Sequence, residues 1–306
     1  MKKDFSAPHI IRTISELHRL FALEKPDHTL VSVINFELLN YGHSDVWKHF
    51  ANDFYCITLK KGNNANFKYG QRDYDFSEGM MTFTKPGQVF SVSDVKDNPL
   101  TGYMLVFKAD FIRPYPLGKL IGNFGFFSYS VAEALHLSEK EEKIISLLLQ
   151  QIKDELKMNI DTYTHDVIVS YLELLLNYSN RFYNRQFLTR KSVNNDLLSQ
   201  LENLLEVYFQ SQSSQLQGLP TVQYVAGQLN LSANYLSDLL RNLTGKNAQQ
   251  YIQNYIIEKA KELLSTSKMS VSEVAYELGF GYSQSFSKLF KKITQLTPLE
   301  YRQSFN

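Results

Sequence analysis

A single cysteine, Cys56, in a chain of 306 residues excludes an intrachain disulfide framework and fits a reducing compartment. No stretch approaches about twenty uncharged apolar residues, so nothing is expected to span a membrane. The opening Met1-Lys2-Lys3-Asp4-Phe5 lacks an apolar run. No signal peptide is therefore expected, and the protein is expected to be cytoplasmic. Charge of one sign is scarce too: the net value is +1, which by itself does not argue for nucleic acid. The seven histidines, His9, His18, His28, His43, His49, His136 and His165, form no H-x-H pair, and the turn Pro86-Gly87-Gln88 has no nearby histidine or suitably spaced carboxylate. A catalytic metal needs three or four convergent ligands, so no metal, no cofactor and no catalytic residue set is expected. Cys56 lies in a strand pattern and reads as a small buried apolar residue rather than a nucleophile.

What the chain does have is length for two domains, 43% apolar residues for real cores, and many aromatics, with 21 Phe and 19 Tyr. Its last ninety residues carry two helix-turn-helix patterns. In the second, Ser270 is an N-cap with Glu273 as its capping-box partner. Val274, Ala275 and Leu278 form the apolar stripe, and Gly279 permits the left-handed turn that ends the helix. A second helix follows at Tyr282-Ser283-Gln284-Ser285-Phe286-Ser287-Lys288-Leu289-Phe290-Lys291-Lys292. At about 100° per residue, Phe286, Leu289, Phe290 and Ile293 share one side. Gln284, Ser287, Lys288 and Lys291 share the other, with Ser285 and Lys292 on the flanks. Small polar, amide and ammonium groups suit a major groove, although an ordinary amphipathic surface helix has the same pattern.

An earlier copy weighs against the ordinary explanation. Thr221 to Leu229 reads as a short helix with Val222, Val225, Ala226 and Leu229 inward, followed by a turn through Asn230-Leu231-Ser232. The next helix has Leu236, Leu239, Leu240 and Leu243 inside, and Asn234, Ser237, Asp238 and Arg241 outside. Adding fifty to these numbers gives Phe286, Leu289, Phe290 and Ile293 on the inner face. On the outer face Asn234, Ser237 and Arg241 become Gln284, Ser287 and Lys291, and beyond the turn Tyr251 becomes Tyr301. A repeat kept on both faces at one offset is hard to obtain by chance. Between the copies, Asn247 to Ser265 reads as one helix, on the order of 28 Å long. Successive major grooves on one face of B-DNA are about 34 Å apart, so such a rod suits two recognition helices in neighbouring grooves. From Gly218 onward there are nine Lys/Arg against six Asp/Glu, leaving 23 against 25 for the remainder. The excess gathers after Tyr282, where Lys288, Lys291, Lys292 and Arg302 face only Glu300.

The segments Ile257-Glu258-Lys259-Ala260-Lys261-Glu262-Leu263-Leu264, Glu273-Val274-Ala275, Leu278-Gly279-Phe280, Phe286-Ser287-Lys288, Phe290-Lys291-Lys292 and Thr297-Pro298-Leu299-Glu300-Tyr301-Arg302 closely resemble the DNA-binding domain of the arabinose-regulator (AraC/XylS) family. The resemblance covers roughly a third of the chain. It implies a seven-helix module whose two recognition helices, around Asn234 to Asn242 and Ser283 to Lys292, enter neighbouring major grooves. The resemblance further implies an activator with promoter DNA and RNA polymerase as partners. Two positions depart from the family pattern: Asp238 stands where a basic residue is usual, and Ile256 where an arginine is common. Asp238 repels phosphate but is able to accept from cytosine N4. The residues expected at DNA are Asn234, Tyr235, Ser237, Asp238, Arg241, Tyr282, Ser283, Gln284, Ser285, Ser287, Lys288, Lys291 and Lys292.

The N-terminal region changes character. Leu30 to Leu39, Phe54 to Lys60, Asn66 to Tyr69, Asp73 to Ser77, Met80 to Thr84, Val89 to Val92 and Gly102 to Phe107 read as short strands separated by Gly, Asn and Pro turns. Such spacing suggests a sandwich or small barrel. The run Tyr55 to Gly62, with Tyr74 to Gly79 and Pro86-Gly87, resembles the cupin-like sensory domain common in the same family. That implies a small-molecule effector site, for which Trp47, His49 and Tyr69 are candidates, each more readily explained as packing the barrel or covering its edge. From Ser138 the period becomes helical. One helix carries Ile144, Ile145, Leu148, Leu149, Ile152 and Leu156, and a second, from about His165 to Tyr183, carries Val167, Ile168, Tyr171, Leu172, Leu174, Leu175 and Tyr178. In the family, helices so placed pair two subunits, so a homodimer is expected; burial within one subunit explains the same stripe. A hinge is expected near Gln186 to Asn195, a first helix of the DNA-binding domain from Asp196 to Phe209, and a loop from Gln210 to Gly218.

The chain is thus expected to be an α+β protein. Residues 1–135 form a cupin-like sensory β-barrel, 136–187 a helical dimerisation pair, and 188–306 an all-α domain with two helix-turn-helix motifs. The expected function is sequence-specific transcriptional regulation, not enzymatic; the rivals are a cupin-type enzyme or ligand-binding protein with a DNA-binding appendage, and an interaction scaffold.

Overall fold

The computed structural model describes residues 8–39, 45–61, 79–90, 101–158, 161–189, 191–211 and 213–304. It divides into two units, Met1–Gln186 and Phe187–Asn306. The fold is mixed α+β.

In the first unit, strands β1 (His9–Ile11), β2 (Val31–Asn35), β3 (Phe50–Asn52), β4 (Tyr55–Lys61), β5 (Met80–Thr84), β6 (Val89–Phe90), β7 (Thr101–Phe107) and β8 (Leu135–His136) build two sheets. The larger, ordered β2-β7-β4-β5-β8, is antiparallel throughout. Its central strand β4 sets Ile57 opposite both Phe83 and Leu105. The smaller has β3 between β1, which runs parallel to it, and β6, which runs antiparallel. Ile11, Ile14, Ile34, Trp47, Phe50, Phe54, Cys56, Met104 and Val106 form one core drawing on both sheets. Among the described residues the expected barrel is therefore two sheets over a common core, with no ladder hydrogen bonds closing them into one. The strands expected at Asn66 to Tyr69 and Asp73 to Ser77 lie outside the described residues.

Trp47 corrects one expectation. It is 6% exposed, stacked on Phe21 with ring centroids 4.4 Å apart and edge-on to Phe50. The indole is core, not the mouth of a pocket. His49 is exposed, and its carbonyl accepts from the His9 N–H at 3.0 Å, continuing the β1–β3 pairing. Tyr69 lies outside the described residues. Burial raises the Cys56 thiol pKa to about 12, so the sulfur stays protonated.

Helix α1 (Ile14–Leu20) follows β1; α2 (Ala109–Ile112) and α3 (Pro116–Leu120) follow β7. Then come the long helices α4 (Glu139–Lys157) and α5 (Thr164–Thr189). Ser138 and Glu141 make the expected capping box at the start of α4. Ile145, Leu148, Leu149, Ile152 and Leu156 are buried, as are Ile168, Leu172, Leu175 and Leu176 of α5. Leu147 and Leu174 are exposed at 61% and 43%, on the faces of α4 and α5 opposite the buried stripes.

The boundary between the two units falls at Gln186/Phe187, at the start of the stretch expected as a hinge (Gln186 to Asn195), whose described residues are helical rather than loop. The polar run misleads because its polar atoms have backbone partners. Gln186 accepts from the His136 N–H and donates to the Ala134 carbonyl. Arg185 forks onto Glu141, with Nε at 3.0 Å and Nη2 at 2.7 Å. These bonds tie α5 to β8 and to the start of α4, where water would otherwise solvate a loop.

The second unit is helical: α6 (Lys191–Gln210), α7 (Ser213–Gln217), α8 (Val222–Gln228), α9 (Ala233–Thr244), α10 (Ala248–Thr266), α11 (Val271–Glu277), α12 (Ser283–Thr294) and α13 (Pro298–Gln303). The stretch expected as a loop contains α7, held because Ser214 Oγ donates to the Glu277 carbonyl at 3.0 Å. Ile256, Ile257, Ala260 and Leu264 of α10 are buried in one core with Leu236 and Leu240 of α9 and with Phe286 and Phe290 of α12. Ile256 is 1% exposed, so an apolar side chain is what this position of α10 requires.

Candidate nucleic-acid interface

Two helix pairs, α8–α9 and α11–α12, pack on the single rod α10. Its nineteen residues make it about 28 Å long, and Asn247 and Gln250 fix its start with a capping box. Helix α6 braces it from outside. Tyr251 donates to Glu202 at 3.0 Å, Tyr255 to Glu206 at 2.6 Å, and Lys259 pairs with Glu206 at 2.9 Å. These links stiffen the element that sets the spacing between the pairs.

Each pair begins with a side-chain cap. Thr221 accepts from the Tyr224 N–H, and Ser270 from the Glu273 N–H while Glu273 returns the bond. Each first helix ends on a left-handed residue, Asn230 (φ 56°) in one and Gly279 (φ 87°) in the other. At Gly279 the choice is forced: a Cβ would meet the Ser214 carbonyl oxygen at 2.6 Å. The second helices, α9 and α12, keep the fifty-residue offset, but α8 and α11 start 49 apart. The repeat therefore has two offsets, because the turn of the second motif is one residue longer.

That extra residue coincides with a change of cap. Ser232 caps α9 by accepting from the Tyr235 N–H. The matching place before α12 is Tyr282, 73% exposed and unable to cap by a side-chain hydrogen bond. The first amides of α12 thus have no side-chain acceptor, which leaves them open to an anion. A tyrosine where Ser, Thr, Asp or Asn is preferred is the sequence signal for this.

The faces sort as the periodicity requires. Phe286, Phe290, Leu236 and Leu239 are fully buried, and Leu240 nearly so. Gln284, Ser285, Lys288, Lys291 and Lys292 are exposed, with Ser283 and Ser287 half-buried. Among the described residues no ion pair engages Lys288, Lys291 or Lys292; Glu300, the acidic group of this stretch, spends its carboxylate capping α13 with Thr297.

On α9 the candidates divide. Asn234 and Arg241 are exposed. Tyr235 lays its ring edge-on to Phe187 at 5.2 Å, so its aromatic face serves packing. Ser237 Oγ accepts from the Ala248 N–H at 3.2 Å and so helps start the rod. The equivalent bond is denied to Ser287, because position 298 is proline and has no N–H. Asp238 pairs with Arg241 at 2.5 Å, a relation one turn of helix makes possible but which reading the two residues separately conceals. Arg302 likewise leaves the basic group to which composition assigned it: its Nε donates to the Leu264 carbonyl at 3.1 Å, near the C-terminal end of α10.

Among the described residues no three His, Cys, Asp or Glu side chains gather as a metal site, and no helix is long and apolar enough to cross a membrane.

Residues 225–304 match the helix-turn-helix domain family. The HTH-type transcriptional activator RhaS of Klebsiella pneumoniae (strain 342) is 30% identical over 169 residues, 53% of this chain and 56% of that protein. The RhaS of Salmonella schwarzengrund (strain CVM19633) is 36% identical over 120 residues, 39% and 41% of the two chains. The chain thus spans about half the length, or less, of these relatives. Among solved structures, the C-terminal domain of the two-component response regulator yesN from Fusobacterium nucleatum is 30% identical, covering 35% of this chain and 98% of its own, with a TM-score of 0.31. Residues 225–304 thus carry a helix-turn-helix domain of the AraC/XylS type.

Proposed function

We propose that the protein is a sequence-specific DNA-binding transcriptional regulator, an activator, whose helices α9 and α12 lie in successive major grooves of promoter DNA. The observation that carries this reading is the shared rod. Two recognition helices with buried apolar faces and exposed polar faces are mounted on α10, at about the length that separates neighbouring grooves. One chain then covers what a single-motif repressor covers as a dimer. The RhaS relatives are named transcriptional activators, which supports the sign of regulation.

In this reading Gln284 and Ser283 meet base edges, and Lys288 reaches bases from the same face. Lys291, Lys292 and the uncapped amides of α12 hold phosphates. Tyr282 and Ser285 flank that contact, while Asn234 and Arg241 serve the other groove. The first unit senses a small molecule or pairs two subunits through α4 and α5, where Leu147 and Leu174 are exposed. RNA polymerase is the further partner that activation requires. The domain boundaries proposed are 1–135, 136–187 and 188–306.

Selection of bound duplexes from a randomised pool by the full-length protein tests the reading. Two conserved blocks, centred about 10 base pairs apart, are expected. Retention that is uniform across sequences, or that does not fall with salt, refutes it.

A further inference from the structure

The two recognition helices carry different chemistry at equivalent positions. With α9 and α12 aligned at fifty residues, Asp238 stands where α12 has Lys288, and Arg241 where it has Lys291. In α12 both groups are exposed ammoniums in no ion pair among the described residues. In α9 the two form an ion pair between Arg241 Nη1 and Asp238 Oδ1 at 2.5 Å, with the guanidinium side chain 56% exposed and the carboxylate 26%.

A neutral pair adds little to phosphate attraction, so α9 forgoes the charge that α12 keeps at the same places. What the pair has instead is direction. A guanidinium is a flat fork of five N–H donors, and a carboxylate on one arm fixes the plane of the rest. Lysine, a point charge on a flexible stem, offers no such plane. Guanine presents O6 and N7 side by side in the major groove, the acceptor pair that a held guanidinium edge matches. The half-buried carboxylate lies beneath the exposed guanidinium, as an aiming group should.

We propose that Asp238 and Arg241 form one reading unit, in which Asp238 is a positioning residue that aims Arg241 at a guanine. Base discrimination in the first groove is then concentrated in this pair, while phosphate attraction is concentrated in Lys288, Lys291 and Lys292 of α12. This inference rests on the DNA-binding reading of the same surface.

The test is selection from a randomised duplex pool, followed by affinity measurement on selected and random duplexes, with full-length protein and the variants Arg241→Ala, Asp238→Ala, Asp238→Asn and Asp238→Ala/Arg241→Ala. Wild type is expected to prefer guanine at one position of one block by about tenfold or more. Arg241→Ala abolishes that preference. Asp238→Ala weakens it at the same position and no other, while random-duplex affinity rises because a negative charge has gone. Asp238→Asn shares the rise but keeps more of the preference, since an amide oxygen still accepts from the guanidinium. The double variant matches Arg241→Ala. Should Asp238→Ala relax a different position, the carboxylate reads cytosine on its own and the proposal is overturned; so too if the guanine preference survives intact. A wild type that enriches no sequence fails the DNA-binding reading itself, a distinct outcome. Unchanged far-UV circular dichroism shows that each variant has folded.

Discussion

His28 Nε2 lies 3.2 Å from His165 Nε2, joining the segment before β2 to the first turn of α5. The Leu30 N–H donates to His28 Nδ1 at 3.1 Å, so that nitrogen is bare and the neutral ring carries its proton on Nε2. His165 Nε2 must then accept, with its own proton on Nδ1. Both rings stand edge-on to Phe111, at 5.4 and 4.9 Å. A proton added to His28 goes to Nδ1 and sets that N–H against the Leu30 N–H, breaking the bond.

The first unit should therefore lose stability in mild acid. Burial holds the His28 pKa below its ordinary 6.5, and the neighbouring His165 charge adds to this. The unfolded chain then takes up the proton first, so the stabilisation is complete above about pH 6.5 and declines as pH falls below it. Each ring has a carboxylate beside it in sequence, Asp27 next to His28 and Asp166 next to His165, and Asp166 is engaged by the Tyr115 hydroxyl at 2.7 Å. Trp47, the chain's one tryptophan, lies in this unit's core, so its fluorescence follows this unit alone. Melts at about pH 7.5 and 5.5 should show a larger drop for wild type than for His28→Asn, whose Oδ1 keeps the Leu30 bond. Equal drops would remove the histidine pair as the cause.

Features set within one turn of helix were legible in the sequence. The Ser138–Glu141 and Ser270–Glu273 boxes, the turn at Gly279 and the alternating faces of α12 all depend on neighbours at most four residues away. Contacts between distant segments were not. The parallel pairing of His9–Ile11 with Phe50–Asn52 joins two three-residue strands too short to show a period. The Ser237–Ala248 bond appears only once α9 has turned back onto α10, and Gln186 looked solvent-exposed because its two backbone partners are fifty and more residues upstream. Asp238 and Arg241 were near enough in sequence to be paired, but each was weighed as a reader of bases by itself.

The left-handed C-caps of α9 and α12 make opposite predictions. Gly245 has φ 75° and Gln295 φ 66°, at the same place in the repeat. Space is open around Gly245, so Gly245→Ala should cost about 1 kcal/mol through backbone conformation alone. Gln295→Gly should gain about 0.5 kcal/mol, since the strain it relieves exceeds the exposed bond from Gln295 Nε2 to the Lys292 carbonyl. Amide hydrogen exchange in α9 and α12 of the full-length protein measures each locally. A slower-exchanging Gly245→Ala would contradict the reasoning.

Two cations near the C-terminal end should behave differently in DNA binding. Lys292 is exposed at the end of α12, and Lys292→Ala should weaken binding to all duplexes and flatten the salt slope by about one unit. Arg302, bonded to the Leu264 carbonyl, should instead affect stability, with Arg302→Ala leaving the slope unchanged. Gln284→Ala should relax preference at a single base position, costing on the order of 1–3 kcal/mol there. Equal losses on selected and random duplexes for Gln284→Ala would refute its role as a base reader.

The brace on the rod sets a pH window for the second unit. Hydrogen bonds from Lys259, then Tyr255, hold the Glu206 pKa down to about 2 from its ordinary 4.5. Its contribution is complete above about pH 4.5 and is lost as pH falls toward 2. On the alkaline side, burial and then Glu202 raise Tyr251 to about 12, and burial with Glu206 raises Tyr255 above its ordinary 10. Those contributions are complete below about pH 10 and are lost above it, so the brace is constant between about 4.5 and 10. Glu206 is 37% exposed, and solvent screening limits the Tyr255 bond to about 1 kcal/mol. Tyr255→Phe should therefore lower stability by that amount at pH 7, as read by urea melts followed by the helical far-UV circular dichroism signal. As Glu206 takes up a proton the bond loses its charge assistance, and the gap between variant and wild type should narrow as pH falls to about 2. A gap of the same size at both pH values would mean that Tyr255 acts through packing, and that the carboxylate does not brace the rod.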